Sequence, residues 1–111
     1  MQRIQVGDIS VLKLSGPLGF EISEKIKDTL IEWIKTGVRK IIVDLTEVEL
    51  ITSGTLGILY AAHQDLKKLG GKLVAVGLKP HVLATLRDWR LDRFIQIFDT
   101  LEDARIALTL E

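Results

Sequence analysis

The sequence predicts an α/β domain with an N-terminal β-hairpin, a mostly parallel five-stranded sheet and four helices. The first observation is the apolar run at residues 41–45, which is typical of a strand covered by helices. The second is that apolar residues recur at helical spacing between the strand-like segments. The third is the order β-β-α-β-α-β-α-β-α, because strands that alternate with helices form parallel sheets with right-handed crossovers. The whole chain, residues 1–111, is interpreted as one domain.

The first 35 residues predict a hairpin followed by a helix. Ile4 and Val6 alternate with polar neighbours, residues 7–8 (Gly-Asp) have the composition of a turn, and an apolar strand resumes at Val11. The Ser-Gly-Pro-Leu-Gly stretch at residues 15–19 is expected to end this strand. A helix follows to about Lys35, and its expected inner stripe contains Phe20, Ile26, Leu30, Trp33 and Ile34.

The central strand leads into a polar segment at the start of the second helix. Asp44 is expected near the carboxyl end of the strand, after which Leu50 and Ile51 return the chain to the core. Thr52 and Ser53 bring two hydroxyls to a helix N-cap position. We call residues 52–56 the helix-start segment.

The remaining elements follow the same alternation. Gly70 and Gly71 end the second helix, residues 72–76 form a short strand, and Pro80 begins the third helix. The last strand is expected over residues 94–98. Thr100 has an acid three residues later, which predicts the capped start of a terminal helix.

Composition excludes several classes of function. Fifteen basic and fifteen acidic residues give a formal charge of zero, so the chain offers no broad basic face for nucleic acid or anionic lipid. The chain lacks cysteine, a signal-peptide pattern and the roughly 18 consecutive apolar residues of a membrane span. A cytoplasmic protein without membrane insertion is expected, and the sequence leaves its oligomeric state open.

No catalytic, metal or cofactor site is predicted. His63 and His81 have no cysteine or carboxylate pattern around them that would indicate a metal. No nucleophile, base and orienting acid stand at a recognisable spacing, so the chain is not expected to be an enzyme. Residues 52–57 (TSGTLG) are similar to the glycine-rich loop of acyl-adenylate-forming enzymes, but no lysine follows, and nucleotide binding is the weakest alternative.

Three stretches in register resemble the STAS domain, the fold of bacterial anti-sigma factor antagonists and of the cytoplasmic tails of sulfate transporters. The stretches are IIVDLTEVELITSGTLGIL, KKLGGKLVAVGL and LDRFIQIFDTLEDARIAL, and the resemblance covers nearly the whole chain. It implies partner switching in bacterial transcription regulation: the antagonist binds an anti-sigma factor or regulatory serine kinase, and phosphorylation breaks that complex.

The chain departs from the family at the phosphorylation site. The family usually has Asp-Ser-Ser-Gly-Leu or Asp-Ser-Thr-Gly-Leu, and these five positions correspond here to residues 52–56, Thr-Ser-Gly-Thr-Leu. The usual acidic position holds Thr52, and Gly54, which has no hydroxyl, stands at the usual acceptor position. Ser53, Thr55 and Thr52 are the remaining phosphorylation candidates, with Ser53 first. Because a kinase aligned on one hydroxyl tolerates little displacement, an atypical or non-phosphorylated member is favoured.

We therefore predict a protein-binding site around the helix-start segment. Asp44, Glu47 and Glu49 are expected at its edge, and Trp89, flanked by arginines, is expected either to anchor the partner or to cover the end of the sheet. A glycine is usual near Arg90 in the family, so this loop also departs from the pattern. The alternative is a stand-alone STAS subunit that docks on a transport or lipid-trafficking complex without phosphate. The predicted partner-binding residues are Asp44, Glu47, Glu49, Thr52, Ser53, Gly54, Thr55, Leu56 and Trp89.

Overall fold

The structure is a computed structural model that describes residues 1–110, and it has the predicted order of elements. The strands are β1 (Gln2–Val6), β2 (Ile9–Leu18), β3 (Lys40–Ile51), β4 (Lys72–Val76) and β5 (Gln96–Phe98). The helices are α1 (Phe20–Lys35), α2 (Ser53–Lys68), α3 (Pro80–Asp88) and α4 (Leu101–Thr109). A short 3-10 turn, Leu91–Arg93, connects α3 to β5.

The sheet has the strand order β1-β2-β3-β4-β5, in which β1 is antiparallel to β2 and the other neighbours are parallel. Successive strands are neighbours, so right-handed crossovers carry α1, α2 and α3 over the same face. The larger core cluster lies on that face and includes Ile26, Leu59 and Leu86 from these helices. The opposite face is packed by α4 through Ala104 and Leu108. The predicted α/β fold class is confirmed.

Two strands are longer than predicted. The Ser-Gly-Pro-Leu segment does not end β2, which continues to Leu18 with register shifts against β3 on either side of residues 15–16. β3 in turn continues to Ile51, so the prediction that Asp44 lies near the end of its strand is wrong. The bulges explain both errors, because they let the chain keep pairing past Gly16 and Pro17.

Several side chains predicted in the core are exposed. Phe20, the first residue of α1, is 85% exposed, and Leu50 is 55% exposed. Only Ile51 of the Leu50-Ile51 pair enters the core, because bulged β3 presents Leu45, Val48 and Ile51 to it at intervals of three residues. The last strand is also shorter than predicted. It begins at Gln96, and the predicted strand residues 94–95 lie between the 3-10 turn and β5 instead.

Candidate functional site

The helix-start segment forms the first turn of α2. Thr52 is the N-cap residue, and its hydroxyl accepts a hydrogen bond from the Thr55 amide at 3.4 Å. The hydroxyl groups of Thr52 and Thr55 also lie 3.3 and 3.4 Å from the carbonyl oxygen of Leu18, to which they donate. These contacts tie the start of α2 to the end of β2. Thr52 therefore caps α2 from the position that is usually acidic in the family, and threonine is among the residue types favoured as N-caps.

The three phosphorylation candidates differ in accessibility. The Thr55 side chain is fully buried, and that of Thr52 is half-buried and engaged in the cap. Ser53 is exposed, and its hydroxyl has no hydrogen-bond partner within residues 1–110. Among these three hydroxyls, only that of Ser53 is open to a kinase without local unfolding. The structure does not test whether it is phosphorylated.

Gly54, at the usual acceptor position, is exposed and has room for a side chain. A Cβ atom built on this residue would have one neighbour within 4 Å, the Thr52 hydroxyl oxygen at 3.9 Å, which is an ordinary van der Waals distance. Its backbone is helical and does not need glycine. The absence of a hydroxyl at this position is therefore not imposed by packing.

Two hollows flank the exposed start of α2. The first is a groove of about 420 Å³ between α1 and α2, where small residues of α2 face exposed Ile31 of α1. The second is a pocket of about 180 Å³ between the start of α2 and the end of α3. Gly57 contributes to both. We call Ser53, Gly54 and Gly57 together with these two hollows the docking surface. The groove is lined by Glu24, Lys27, Leu30, Ile31, Ile34, Gly54, Gly57, Ile58, Ala61, Ala62 and Asp65.

Trp89 lines the smaller pocket opposite Ser53, together with Tyr60 and Leu91. It is 60% exposed, so it does not fold back to cover the end of the sheet. The next residue, Arg90, has the left-handed backbone angle φ 60°, and no other non-glycine residue in the range 1–110 has a positive φ. A glycine would adopt this backbone angle without the steric cost that a Cβ atom brings.

The three acidic residues predicted at the edge of the site line neither hollow. Asp44 is buried, and its carboxylate accepts hydrogen bonds from the amide and hydroxyl of Thr46, at 3.0 and 2.5 Å. Glu47 is exposed and lies 3.8 Å from the Lys13 ammonium group. Glu49 is exposed, and its backbone carbonyl contacts the His81 ring. Of the predicted partner-binding residues, Ser53, Leu56 and Trp89 line the smaller pocket and Gly54 lines the groove. Thr52, Thr55 and the three acids line neither hollow, and Thr55 is fully buried.

His63 is a packed side chain of α2. His63 packs beside Tyr60, its buried Nδ1 atom has no hydrogen-bond partner in the described chain, and its pKa is lowered by burial and by nearby Lys67 and Lys72. Within residues 1–110 there is no group of three or more His, Cys, Asp or Glu side chains that could hold a metal ion. None of the helices in that range is long and apolar enough to cross a membrane.

Sequence reasoning missed the α1 side of the groove and two exposed apolar side chains near it. Ile31 lies outside the predicted inner stripe of α1, and an apolar residue on an outer helix face is a signal that could have been used. Phe20 and Leu50 are exposed at the end of the sheet where α2 begins. The exposure of Leu50 follows from the two extra residues that β3 has opposite residues 13–17 of β2, which the apolar pattern does not reveal.

Comparison with known proteins identifies the family of this chain. The model of the STAS domain matches residues 1–104. The chain belongs to the STAS domain family. The predicted family is thereby confirmed.

The relatives agree with the predicted class of STAS protein. A protein of Thermotoga neapolitana named "Putative anti-sigma factor antagonist" is 29% identical over 100 residues, which cover 89% of this chain and 88% of the relative. The crystal structure of the Thermotoga maritima protein of the same description has a TM-score of 0.92 at 27% identity and covers 97% of this chain and 93% of its own. The unphosphorylated antagonist SpoIIAA shares the fold, with a TM-score of 0.88 at 20% identity and 99% and 96% coverage.

Proposed function

We propose that this STAS domain is an anti-sigma factor antagonist whose docking surface binds an anti-sigma factor or a related regulatory serine kinase. The observation that carries the proposal is the exposed start of α2 between two hollows, with Trp89 beside Ser53. An exposed tryptophan that rims an apolar pocket is a typical anchor of a protein interface. The names of the relatives support the class of partner. In this proposal the domain acts by binding and carries out no catalysis.

We further propose that binding does not require a phosphate and that the phosphorylation switch is weakened in this chain. The acceptor position, Gly54, lacks a hydroxyl. The nearest hydroxyl along the helix is that of Ser53, the preceding residue, whose side chain points about 100° away around the helix axis. A kinase that bound the docking surface in the family's orientation would find no oxygen in line with its phosphate donor. Misplacement by about 1 Å can cost roughly 100-fold in rate.

The binding proposal is tested by affinity capture from the native host with tagged wild-type protein and two variants. Trp89→Ala removes the exposed anchor, and Leu110→Ala removes an 83% exposed leucine outside the docking surface as the matched control. We expect an anti-sigma factor kinase to be retained by the wild type and the control and lost from Trp89→Ala. Capture of permease or lipid-transport subunits would replace this proposal with the alternative of a transport-associated subunit.

The acceptor prediction uses the substitution Gly54→Ser, which restores the family hydroxyl in a place with room for it. We expect the captured kinase to phosphorylate Gly54→Ser roughly 100-fold faster than the wild type, because the hydroxyl now lies in line with the donor. Phosphorylated positions are mapped by mass spectrometry, and Ser53→Ala and the double variant Ser53→Ala/Gly54→Ser are the controls. Rapid phosphorylation of the wild type at Ser53 would contradict the weakened switch but leave the binding proposal intact.

A further inference from the structure

Strand β1 is an edge of the sheet that lacks the usual protection. Its five residues, Gln2–Val6, pair with β2 in continuous register, and four of them are exposed. Edge strands are normally blocked by proline, a bulge or free charges, since their unpaired backbone groups can bind another strand. β1 has neither proline nor bulge, and its one charged side chain, Arg3, is bound by α1. The Arg3 guanidinium donates to the Thr29 hydroxyl at 3.0 Å and lies 3.7 Å from the Glu32 carboxylate.

The two faces of β1 differ in polarity. Ile4 and Val6 are on the face of the sheet that packs against α4, since Val6 belongs to that core cluster and side chains alternate along a strand. Ile4 is 40% exposed there. Next to it is a hollow of about 360 Å³, lined by Val6, Ile9, Val11, Ile42, Leu101, Glu102 and Arg105. The α4 side of β1 therefore offers apolar surface together with a free backbone edge.

We propose that β1 pairs with β1 of a second copy of this chain, antiparallel and about a two-fold axis at Ile4, to form a continuous ten-stranded sheet. This axis pairs all five residues of the strand, with Ile4 opposite Ile4 of the second copy. It also sets Arg3 of each copy opposite Gln5 of the other, so no like charges face each other directly.

Neighbouring registers fit less well. An axis at Arg3 would set two guanidinium groups directly opposite each other, which is unfavourable. An axis at Gln5 would pair only residues 4–6, because Gly7 at φ 62° turns the chain away from the edge. With the axis at Ile4, the two isoleucines meet on the α4 face beside the apolar hollows of both copies. The pairing therefore buries the most exposed apolar side chain of the strand.

This dimer is a property beyond the proposed function. The residues of β1 line neither hollow of the docking surface, so each copy in the dimer keeps its surface open. Two docking surfaces fixed on one sheet can bind a dimeric partner with a higher apparent affinity than one surface, without any new contact to that partner.

The register is tested by cysteine cross-linking, because the chain contains no cysteine. Residues opposite each other in a non-hydrogen-bonded antiparallel pair have Cα atoms about 4.5 Å apart, within the usual 4.4–6.8 Å range of a disulfide. We expect Ile4→Cys to form a disulfide-linked dimer under mild oxidation. Gln5→Cys places the two thiols diagonally, about 7–8 Å apart, and should cross-link poorly. Ile106→Cys, at a similarly exposed isoleucine on α4 (46%), measures random collision.

Sedimentation equilibrium gives the second readout. We expect the wild type to dimerise, Ile4→Lys to stay monomeric because the axis would join two ammonium groups, and the matched control Ile106→Lys to dimerise like the wild type. Circular dichroism shows whether each variant is folded, and the cross-linking test stands even if Ile4→Lys unfolds. The proposal is overturned if the wild type is monomeric at all concentrations, or if Ile4→Cys cross-links no faster than Ile106→Cys or Gln5→Cys.

Discussion

Arg90 has a backbone conformation that is unfavourable for a residue with a side chain. Its φ of 60° lies in the left-handed region, which costs a residue with a Cβ about 1–2 kcal/mol. Glycine avoids this cost but loses more chain entropy on folding. The chain therefore keeps an arginine at a position where glycine fits better, directly beside Trp89 of the docking surface.

We predict that Arg90→Gly raises the free energy of unfolding by about 0.5–1 kcal/mol, the net of these two effects. Urea denaturation measures the change. The matched control is Arg87→Gly, which also removes one arginine but lies in the last turn of α3, where glycine should cost about 1 kcal/mol. If both variants lose stability, the relief of backbone strain at Arg90 is smaller than the chain entropy that glycine loses on folding.

His63 is the residue that should make stability depend on pH near neutrality. Burial, Lys67 and Lys72 lower its pKa in the folded state below the ordinary value of 6.5, so the folded protein binds this proton less readily than the unfolded chain. The contribution of His63 to stability is therefore complete above pH 6.5 and is lost as the pH falls from 6.5 towards the folded-state pKa.

We predict that the free energy of unfolding of the wild type falls more steeply between about pH 7 and pH 5 than that of His63→Gln, which cannot take up this proton. Carboxylates and His81 are present in both proteins, so the difference between the two pH profiles isolates His63. Urea unfolding curves across this pH range provide the measurement. Parallel profiles would show that the His63 pKa is the same in the folded and unfolded states.

Helix α2 combines a structural task with the proposed binding task. Its inner face supplies Leu56, Leu59 and Leu66 to the core, while Gly54 and Gly57 leave its outer face flat between the two hollows. Glycine inside a helix lowers stability relative to alanine, so these residues are costly for the fold. The cost is consistent with a surface that keeps space for a partner.

We predict that Gly57→Ala raises the free energy of unfolding by about 0.5–1 kcal/mol, since a Cβ there would meet no atom within 4 Å. The same methyl group narrows both hollows, so affinity for the captured partner should fall. Thermal unfolding and isothermal titration calorimetry measure the two effects. Ala61→Gly, at another exposed groove residue of α2, should reverse the sign of the stability change and widen the groove. Unchanged affinity in Gly57→Ala would place the interface elsewhere.

At the scale of the whole molecule, β3 is longer than β4, and this difference decides which part of β3 the chain meets when it leaves β4. β3 continues past the end of β4, and the chain leaving β4 turns at Gly77 against Thr46 of β3. Gly77 has φ 72°, and a Cβ there would clash with the Thr46 side chain. Thr46 is held by the buried Asp44 carboxylate, so this neighbour cannot easily move aside.

We predict that Gly77→Ala destabilises the protein by about 1–3 kcal/mol more than Gly70→Ala does. Both glycines have a similar positive φ, 72° and 79°, but a Cβ at Gly70 would meet nothing within 4 Å, so this control contains the backbone strain without the clash. Chemical denaturation of both variants gives the difference. Equal losses would mean that Thr46 moves aside and that backbone strain alone sets the cost.

The sequence by itself determined the order and type of the elements, because the periodicity of apolar residues and the Gly, Pro and Thr signals at their ends are local. It also predicted an N-cap at Thr52 or Ser53 and another at Thr100. In the structure Thr52 and Thr100 are the caps, with hydrogen bonds from the amides of Thr55 and Asp103. The STAS family was recognisable from three stretches in register.

Only the tertiary structure decided which of the predicted site residues share a surface. The bulges let β3 continue past Asp44 and turned Leu50 outwards, and a bulge has no local apolar signature. Trp89 and Ser53 are 36 residues apart in the sequence and meet in one pocket because crossovers of the same hand place α2 and α3 on the same face of the sheet. Contacts between distant segments depend on how the elements pack, which the local sequence pattern does not encode.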